Sequence, residues 1–149
     1  MSRRTAQAQT EDATVLRERR INGRRDVAIV GLTNERGEVL MIETSRLPGR
    51  WQPVGGGVDP DDDTPEHAAV REAKEELDVE LRVDDLTLVA SAPYDFGEGT
   101  VYCYQATLPS STRLHFNGRE ILQHRWLPVS EALKLPAFPA TMRFLRALV

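Results

Sequence analysis

Residues 55–79, GGGVDPDDDTPEHAAVREAKEELDV, contain the clearest structural signal in the chain. Thr64 is a good helix N-cap, Pro65 suits the first helical position, and Glu66 complements the positive end of the helix dipole. This pattern predicts a helix that runs to about Leu77. Because glycine weakens a strand, the three successive glycines before it suit a positive φ or a close approach of the backbone to another group.

Successive residues of a helix are about 100° apart, so the predicted helix has an apolar side and an acidic side. The apolar side must face the core and consists of Ala69, Val70, Ala73 and Leu77. The acidic side holds Glu72, Glu75 and Glu76, with the small Ala68 between them.

Three glutamates on one helix face repel one another and destabilise the helix. A hard divalent cation such as Mg²⁺ or Mn²⁺, which prefers carboxylates and backbone carbonyls, would offset that repulsion. In many helices an acidic arc is only the solvated face. Here the glycine triplet can bring carbonyl oxygens close to the glutamates, and Arg71 lies one turn before Glu75, so we favour a metal site.

The composition fits one globular domain, with 149 residues of which 40% are hydrophobic and 28% charged. The single cysteine, Cys103, excludes an intramolecular disulfide, and no zinc-type spacing of Cys and His is present. We therefore expect a reducing, cytoplasmic location. No apolar run approaches the roughly 20 residues of a membrane span, and the N-terminal residues lack the apolar core of a secretory signal, so we predict no membrane partner.

The formal net charge of −4 combines two unlike parts. Residues 1–25 contain seven arginines against three acids, so the remainder of the chain carries a net −8. We predict a basic, flexible N-terminal arm over residues 1–25 and an acidic domain over residues 26–149. The arm could contact RNA, an anionic substrate or an acidic face of the same protein, but a solvated tail is the simpler interpretation. The overall charge argues weakly against nucleic acid as a partner.

Short β-branched runs separated by turn residues predict strands along most of the remaining chain. A hairpin is expected over residues 27–42, followed by strands at 86–90, 100–108 and 124–127 and a weaker strand at 79–83. A short helix is expected from Ser130, and a last helix over residues 140–148 with Met142, Leu145 and Leu148 as its apolar positions. The fold class is therefore mixed α/β, a mixed sheet flanked by helices.

The run Gly57-x5-Asp63-x7-Arg71-Glu72-Ala73-Lys74-Glu75-Glu76-Leu77-Asp78-Val79 resembles the Nudix box, G-x5-E-x7-R-E-U-x-E-E-x-G-U with U apolar. Asp63 stands where Glu is usual, although Asp62 could take that role if Gly56 is the box glycine. Asp78 replaces the box glycine at the helix end, where Asp tolerates a left-handed conformation at modest cost. With the hairpin, residues 51–57 and residues 126–133, the resemblance covers most of residues 26–149.

The resemblance implies an α/β/α sandwich that uses Mg²⁺ or Mn²⁺ to hydrolyse a nucleoside diphosphate linked to another moiety. It implies that Glu72, Glu75 and Glu76 bind the metal together with a carbonyl of Gly55 or Gly56. Arg71 would hold a glutamate in place, and Glu120 would be an additional ligand or the general base. Whether the base is Glu72, Glu76 or Glu120 stays open, with Glu120 or Glu72 preferred.

Candidate substrate-binding residues lie outside the box. Tyr94 and Phe96 belong to a glycine-containing loop and could stack on a base, although an ordinary hairpin loop is the slightly favoured interpretation. Arg50 and Arg46 border the glycine triplet and could contact phosphate. Cys103 alternates with tyrosines along a strand, so we expect a buried packing residue rather than a nucleophile.

Two other functions are compatible with these residues. One is a catalytically weak Nudix-fold binding or regulatory module that uses the basic arm, which would require a box that has lost ligands. A minor alternative is an isomerase of the isopentenyl diphosphate type, but no second catalytic Cys motif is apparent. The expected partner is a small-molecule diphosphate substrate, and a homodimer is compatible with the sequence.

Overall fold

The computed structural model describes residues 23–148, and these contain a seven-stranded mixed sheet. The strands are β1 (Val27–Thr33), β2 (Glu38–Thr44), β3 (Trp51–Gln52), β4 (Val54–Gly57), β5 (Thr87–Pro93), β6 (Thr100–Thr107) and β7 (Ile121–Pro128). The path through the sheet is β3-β2-β1-β6-β5, while β4 pairs with β1 and β7 pairs with β2. Only the β1–β6 pair among these strands is parallel. The predicted mixed sheet is confirmed.

Three α-helices accompany the sheet in this part of the chain, α1 (Pro65–Leu77), α2 (Val129–Ala132) and α3 (Pro139–Ala147). Helix α1 packs on one face through its alanines and Leu77, and α2 and α3 pack on the other face through Ala132, Phe144 and Leu145. The result is the expected α/β/α sandwich. None of these helices combines the length and apolarity that crossing a membrane requires.

Alternation along the central strands supplies both halves of the core. Ala28 and Val30 of β1 face the cluster under α1, whereas Ile29, between them, faces the cluster under α3. In β2, Leu40 faces the cluster under α1 and Met41 faces the cluster under α3. Because successive side chains of a strand point to opposite faces, continuous apolar runs are the pattern of strands that are covered on both sides.

Two sequence predictions about the fold were wrong in detail. Residues 79–82 are not a strand but an extended connection, followed by a 3₁₀ turn (Val83–Asp85). Val79 and Leu81 still bury their side chains under α1, so their alternation reflects burial without strand pairing. In α3 the fully buried residues include Phe144, which the helix pattern did not single out, while Met142 is only half-buried.

Candidate active site

Helix α1 begins and ends as its sequence predicts. Thr64 has extended backbone angles and its side-chain oxygen accepts a hydrogen bond from the backbone N–H of His67 at 3.2 Å. Asp78 adopts the left-handed conformation, with φ of 56°, and its N–H donates to the carbonyl of Lys74 at 3.0 Å. Lys74 also donates to the Asp78 carboxylate at 2.8 Å, which stabilises the helix end without glycine. These caps define the ends of α1, while the burial of Ala69, Ala73 and Leu77 against the sheet fixes its rotation and therefore the direction of its glutamates.

Arg71 joins three segments of the chain through one guanidinium group. Its Nε and Nη2 atoms donate to the two carboxylate oxygens of Asp62 at 3.0 and 2.9 Å, a bidentate pair. Nη2 also donates to the Gly57 carbonyl at the end of β4, at 3.0 Å. Nη1 donates to Glu72 at 3.0 Å and lies 3.4 Å from Glu75. Arg71 therefore contacts Glu72 and lies near Glu75, while its predicted role of holding a glutamate in place for metal binding stays a prediction.

The acidic loop places Asp62 beside Arg71, whereas Asp63 is exposed to solvent. Burial would raise the pKa of Asp62, but hydrogen bonds from Arg71 and from the backbone N–H of Asp59 outweigh it and lower the pKa. The spacing of the sequence left Asp62 and Asp63 as alternatives. In the folded loop Asp62 is the residue that pairs with the box arginine.

The three glutamates of α1 do not share one environment. Glu72 and Glu76 are 8% and 7% exposed, whereas the Glu75 side chain is 53% exposed. The acidic side of the helix is therefore largely covered. Burial raises the pKa of Glu76 well above its ordinary value, and the neighbouring Glu72 adds to the shift. Burial and the charge of Glu72 also raise the pKa of Glu75.

Glu120 faces the same site from the segment before β7. Its carboxylate accepts a hydrogen bond from the side chain of Asn117 at 3.0 Å, and its charge contributes to the raised pKa values of Glu75 and Glu76. The backbone N–H of Asn117 donates to the carbonyl of Glu76 at 2.9 Å, which ties this segment to α1. Sequence reasoning missed Asn117 because its role depends on a contact between segments that are distant along the chain.

A cavity of about 810 Å³ brings the candidate residues together, a volume within the usual range for small-molecule sites. Every predicted site residue except Arg50 lines it: Gly56, Arg71, Glu72, Glu75, Glu76, Tyr94, Phe96 and Glu120. Arg46 also lines the cavity. Arg50 instead places its guanidinium over the ring of Phe138, 5.1 Å from the ring centre.

Aromatic residues form another part of the cavity wall. The ring of Phe96 meets Tyr94 and Phe138 edge to face, with centroid distances of 5.6 and 5.0 Å. Asp95 accepts a hydrogen bond from the backbone N–H of Ala140 at 3.1 Å and so ties this loop to the start of α3. Phe138 was missed from the sequence, because it lies in an irregular segment where no periodic pattern predicts its direction.

A family model described as the NUDIX domain matches residues 23–148. The chain belongs to the Nudix family. Human diphosphoinositol polyphosphate phosphohydrolase 3-beta is 34% identical to it over 99 residues, which are 66% of this chain and 59% of the human protein. Mouse diphosphoinositol polyphosphate phosphohydrolase 3-alpha is 32% identical over 99 residues, which again are 66% of this chain and 59% of the mouse protein. The chain therefore matches about three fifths of the length of these relatives.

Solved structures of Nudix proteins share the fold. The Escherichia coli dihydroneopterin triphosphate pyrophosphohydrolase superposes with a TM-score of 0.70 at 23% identity, covering 81% of this chain and 92% of that chain. A MutT NUDIX hydrolase from Burkholderia pseudomallei gives a TM-score of 0.71 at 23% identity, covering 84% of this chain and 98% of that chain. At this identity the likeness shows the architecture of the Nudix domain.

The donor atoms of this Nudix domain fit a hard divalent cation. The Oε1 atom of Glu76 is buried and has no hydrogen-bond partner among residues 23–148, which leaves it available as a ligand. Gly56 lies so close to Glu72 that an added Cβ atom would come within 2.5 Å of the carboxylate. Within the described residues no three His, Cys, Asp or Glu side chains converge as a finished metal cage. Glu76 thus offers a buried carboxylate oxygen, but the described residues do not form a completed ligand shell.

Cys103 lies outside this chemistry. Its side chain is fully buried within β6, and burial raises the pKa of the thiol to about 12. A thiol with that pKa stays protonated near neutral pH and is a poor nucleophile. The prediction of a buried packing residue is confirmed, and this thiol gives no support to an isomerase that depends on a cysteine.

Proposed function

We propose that this Nudix domain is a metal-dependent hydrolase that cleaves the pyrophosphate bond of a nucleoside diphosphate linked to another moiety. The observation that carries the proposal is the cluster of Glu72, Glu75 and Glu76 around Arg71, in one cavity with Glu120. The names of the relatives, diphosphoinositol polyphosphate phosphohydrolases, support pyrophosphate cleavage as the reaction class.

In this proposal Glu72, Glu75, Glu76 and the carbonyl of Gly56 hold Mg²⁺ or Mn²⁺. The chemistry that the ion supplies when bound is neutralisation of the diphosphate charge and a lower pKa for a water molecule. Arg71 keeps Glu72 and Glu75 oriented, because its guanidinium is itself fixed by Asp62 and the Gly57 carbonyl.

The proton of the attacking water needs an acceptor among the carboxylates. We assign this role to Glu120 first and Glu72 second. Asn117 donates to one oxygen of Glu120, which lines the cavity, and no residue between 23 and 148 donates to the other oxygen. Glu72 is more constrained, because Arg71 donates to its Oε2 atom at 3.0 Å and its carboxyl group also shares a hydrogen bond with the buried Glu76. General bases need this combination of a fixed carboxylate and an available oxygen.

Substrate binding is proposed for the remaining part of the cavity. Tyr94 and Phe96 present aromatic rings suited to a planar group, and Arg50 acts there through its contact with Phe138.

The prediction of a basic arm over residues 1–25 lies largely outside the described residues and stays a prediction. A cytoplasmic location and a homodimer likewise stay predictions.

A substrate panel tests the proposal. Purified protein is offered nucleoside triphosphates, ADP-ribose, nucleotide sugars, dinucleoside polyphosphates and diphosphoinositol polyphosphates with Mg²⁺, and the released phosphate or nucleotide is measured. We expect turnover of at least one compound that is lost in EDTA and strongly reduced in Glu75→Gln and Glu76→Gln. The proposal fails if nothing turns over, or if both variants behave like the wild type.

The regulatory alternative makes a different prediction. It requires a box without its ligands, and Glu72, Glu75 and Glu76 are all present here. A salt-sensitive shift with RNA or DNA that disappears when residues 1–25 are removed would favour it.

A further inference from the structure

Glu43, near the end of β2, is a buried carboxylate that the proposed reaction does not use. Its residue is only 9% exposed, and it does not line the cavity. Burying a carboxylate is costly unless its oxygens are hydrogen-bonded. Both oxygens have partners, because Oε2 accepts from the backbone N–H of Gly49 at 2.6 Å and Oε1 accepts from the side chain of Gln123 at 2.7 Å.

The partner Gly49 belongs to a tight turn in the loop of residues 45–50. The backbone N–H of Arg50 donates to the carbonyl of Leu47 at 3.3 Å, and Gly49 has a φ of 84°. Proline at the second position and a left-handed glycine at the third are typical of a type II turn. The N–H of the third residue has no partner within such a turn, and here the Glu43 carboxylate provides it.

The 45–50 loop forms part of the cavity wall. Ser45, Arg46 and Leu47 line the cavity, and the loop is held at its start by a hydrogen bond from the Ser45 N–H to the Glu120 carbonyl at 2.8 Å. At its other end, Trp51 donates its N–H to the carbonyl of Pro136 at 2.8 Å. Between these ends, the contact from Gly49 to Glu43 is a short, charge-assisted hydrogen bond that fixes the turn.

We propose that Glu43 is a positioning residue that fixes the 45–50 loop and thereby presents Arg46 to the anionic part of the substrate. This inference rests on the proposed function for its substrate. The irregularity of the β2–β7 ladder between Glu43 and Thr44 fits the role, because it marks the point where β2 stops pairing regularly and the loop begins.

The test compares Glu43→Leu with Glu43→Gln. Leucine has a similar volume and cannot accept the Gly49 N–H. Glutamine can keep both hydrogen bonds. Its side-chain oxygen can accept from the Gly49 N–H, and its NH₂ group can donate to the side-chain oxygen of the exposed Gln123 once that amide rotates. For a substrate found in the panel, we expect Glu43→Leu to raise KM roughly tenfold or more with kcat within about threefold. Glu43→Gln should stay within about twofold of the wild type in both constants.

Two further variants separate positioning from other roles. Glu38→Leu removes a carboxylate from the start of the same strand and should leave KM unchanged. In the double variant Glu43→Leu/Arg46→Ala, KM should match that of Arg46→Ala within about twofold, because both changes remove the same interaction. The inference is overturned if Glu43→Gln raises KM as much as Glu43→Leu does, or if the effects of Glu43→Leu and Arg46→Ala on KM multiply in the double variant.

A measurement without substrate keeps the inference separate from the proposed function. Hydrogen exchange of the Gly49 amide, followed by NMR, should be slow in the wild type and in Glu43→Gln, and roughly tenfold faster in Glu43→Leu. If the wild type turns over no compound of the panel, the proposed function fails while this comparison still decides the loop contact. Equal exchange in the wild type and in Glu43→Leu would overturn the positioning role.

Discussion

Arg71 is the residue on which the geometry of the site converges. Its contacts with Asp62, Glu72 and the Gly57 carbonyl connect the acidic loop, α1 and β4. The Nudix-box spacing predicted that Arg71 would hold a glutamate. It could not decide between Asp62 and Asp63, because the course of a turn-rich loop depends on contacts that adjacent residues do not encode.

Asp62→Asn tests which aspartate positions Arg71. The change removes the charge of a bidentate pair beneath the proposed metal-binding residues, and losses of that kind commonly reduce activity by roughly 10- to 100-fold. We expect a decrease of that size in kcat/KM, with a higher Mg²⁺ concentration needed for half-maximal rate. The matched variant Asp63→Asn, which changes the exposed neighbour, should stay within about twofold. Equal effects of both changes would contradict the assignment.

Cys103 allows a test of burial in the core. Because burial raises the pKa of its thiol to about 12, the reactive thiolate is scarce at pH 8 in the folded protein and becomes available on unfolding. A thiol reagent such as DTNB should therefore leave the native protein unmodified for hours and react with one equivalent in guanidinium chloride. Rapid stoichiometric reaction of the native protein would show that β6 is open to solvent.

At the scale of elements, α1 was the most predictable part of the chain. Its N-cap, its proline and its left-handed C-terminal residue are local signals, and each acts as predicted. The burial of Glu72 and Glu76 was not predictable from the helix alone. It depends on β4 and on the segment around Asn117, which cover one side of the acidic face.

Gly56→Ala tests the close approach of β4 to α1. A Cβ atom there would lie within 2.5 Å of the Glu72 carboxylate, so Glu72 or the strand must move. We expect activity to fall more than roughly tenfold, since displacements of about 1 Å in an active site can cost 100-fold. Gly118→Ala is the control, because nothing lies within 4 Å of its added Cβ atom. Comparable activity of both variants would argue against a site built on this contact.

At the scale of the whole molecule, the sequence predicted the class of fold. It did not predict which residues of α3 cover the second face of the sheet, and only the three-dimensional structure shows them. The apolar runs of β1 and β2 predicted a hairpin, and the mixture of strands and helices predicted a sheet flanked by helices. The residue that fills the second face, Phe144, lies against Gly31, where any side chain would collide with its ring. Such complementarity between distant residues leaves no local pattern, which explains why Met142 was preferred over Phe144.

Phe144→Ala should therefore destabilise the entire domain. Removing a fully buried phenylalanine commonly costs about 3–5 kcal/mol in the free energy of unfolding, because a cavity remains. The half-buried Met142 provides the comparison, and its replacement by alanine should cost about 1 kcal/mol or less. Urea unfolding monitored by circular dichroism measures both. A loss below about 1 kcal/mol for Phe144→Ala would contradict the packing of α3 on the sheet.

The central claim is that carboxylates of α1 carry out metal-dependent cleavage of a diphosphate. Its most direct test is the initial rate of product release from a panel substrate as Mg²⁺ is varied, for the wild type and for Glu76→Gln. We predict a saturable dependence on Mg²⁺, no rate above background in EDTA, and a loss of roughly 100-fold or more in the variant. A wild-type rate that persists in EDTA, or a variant as active as the wild type at every Mg²⁺ concentration, would contradict the claim.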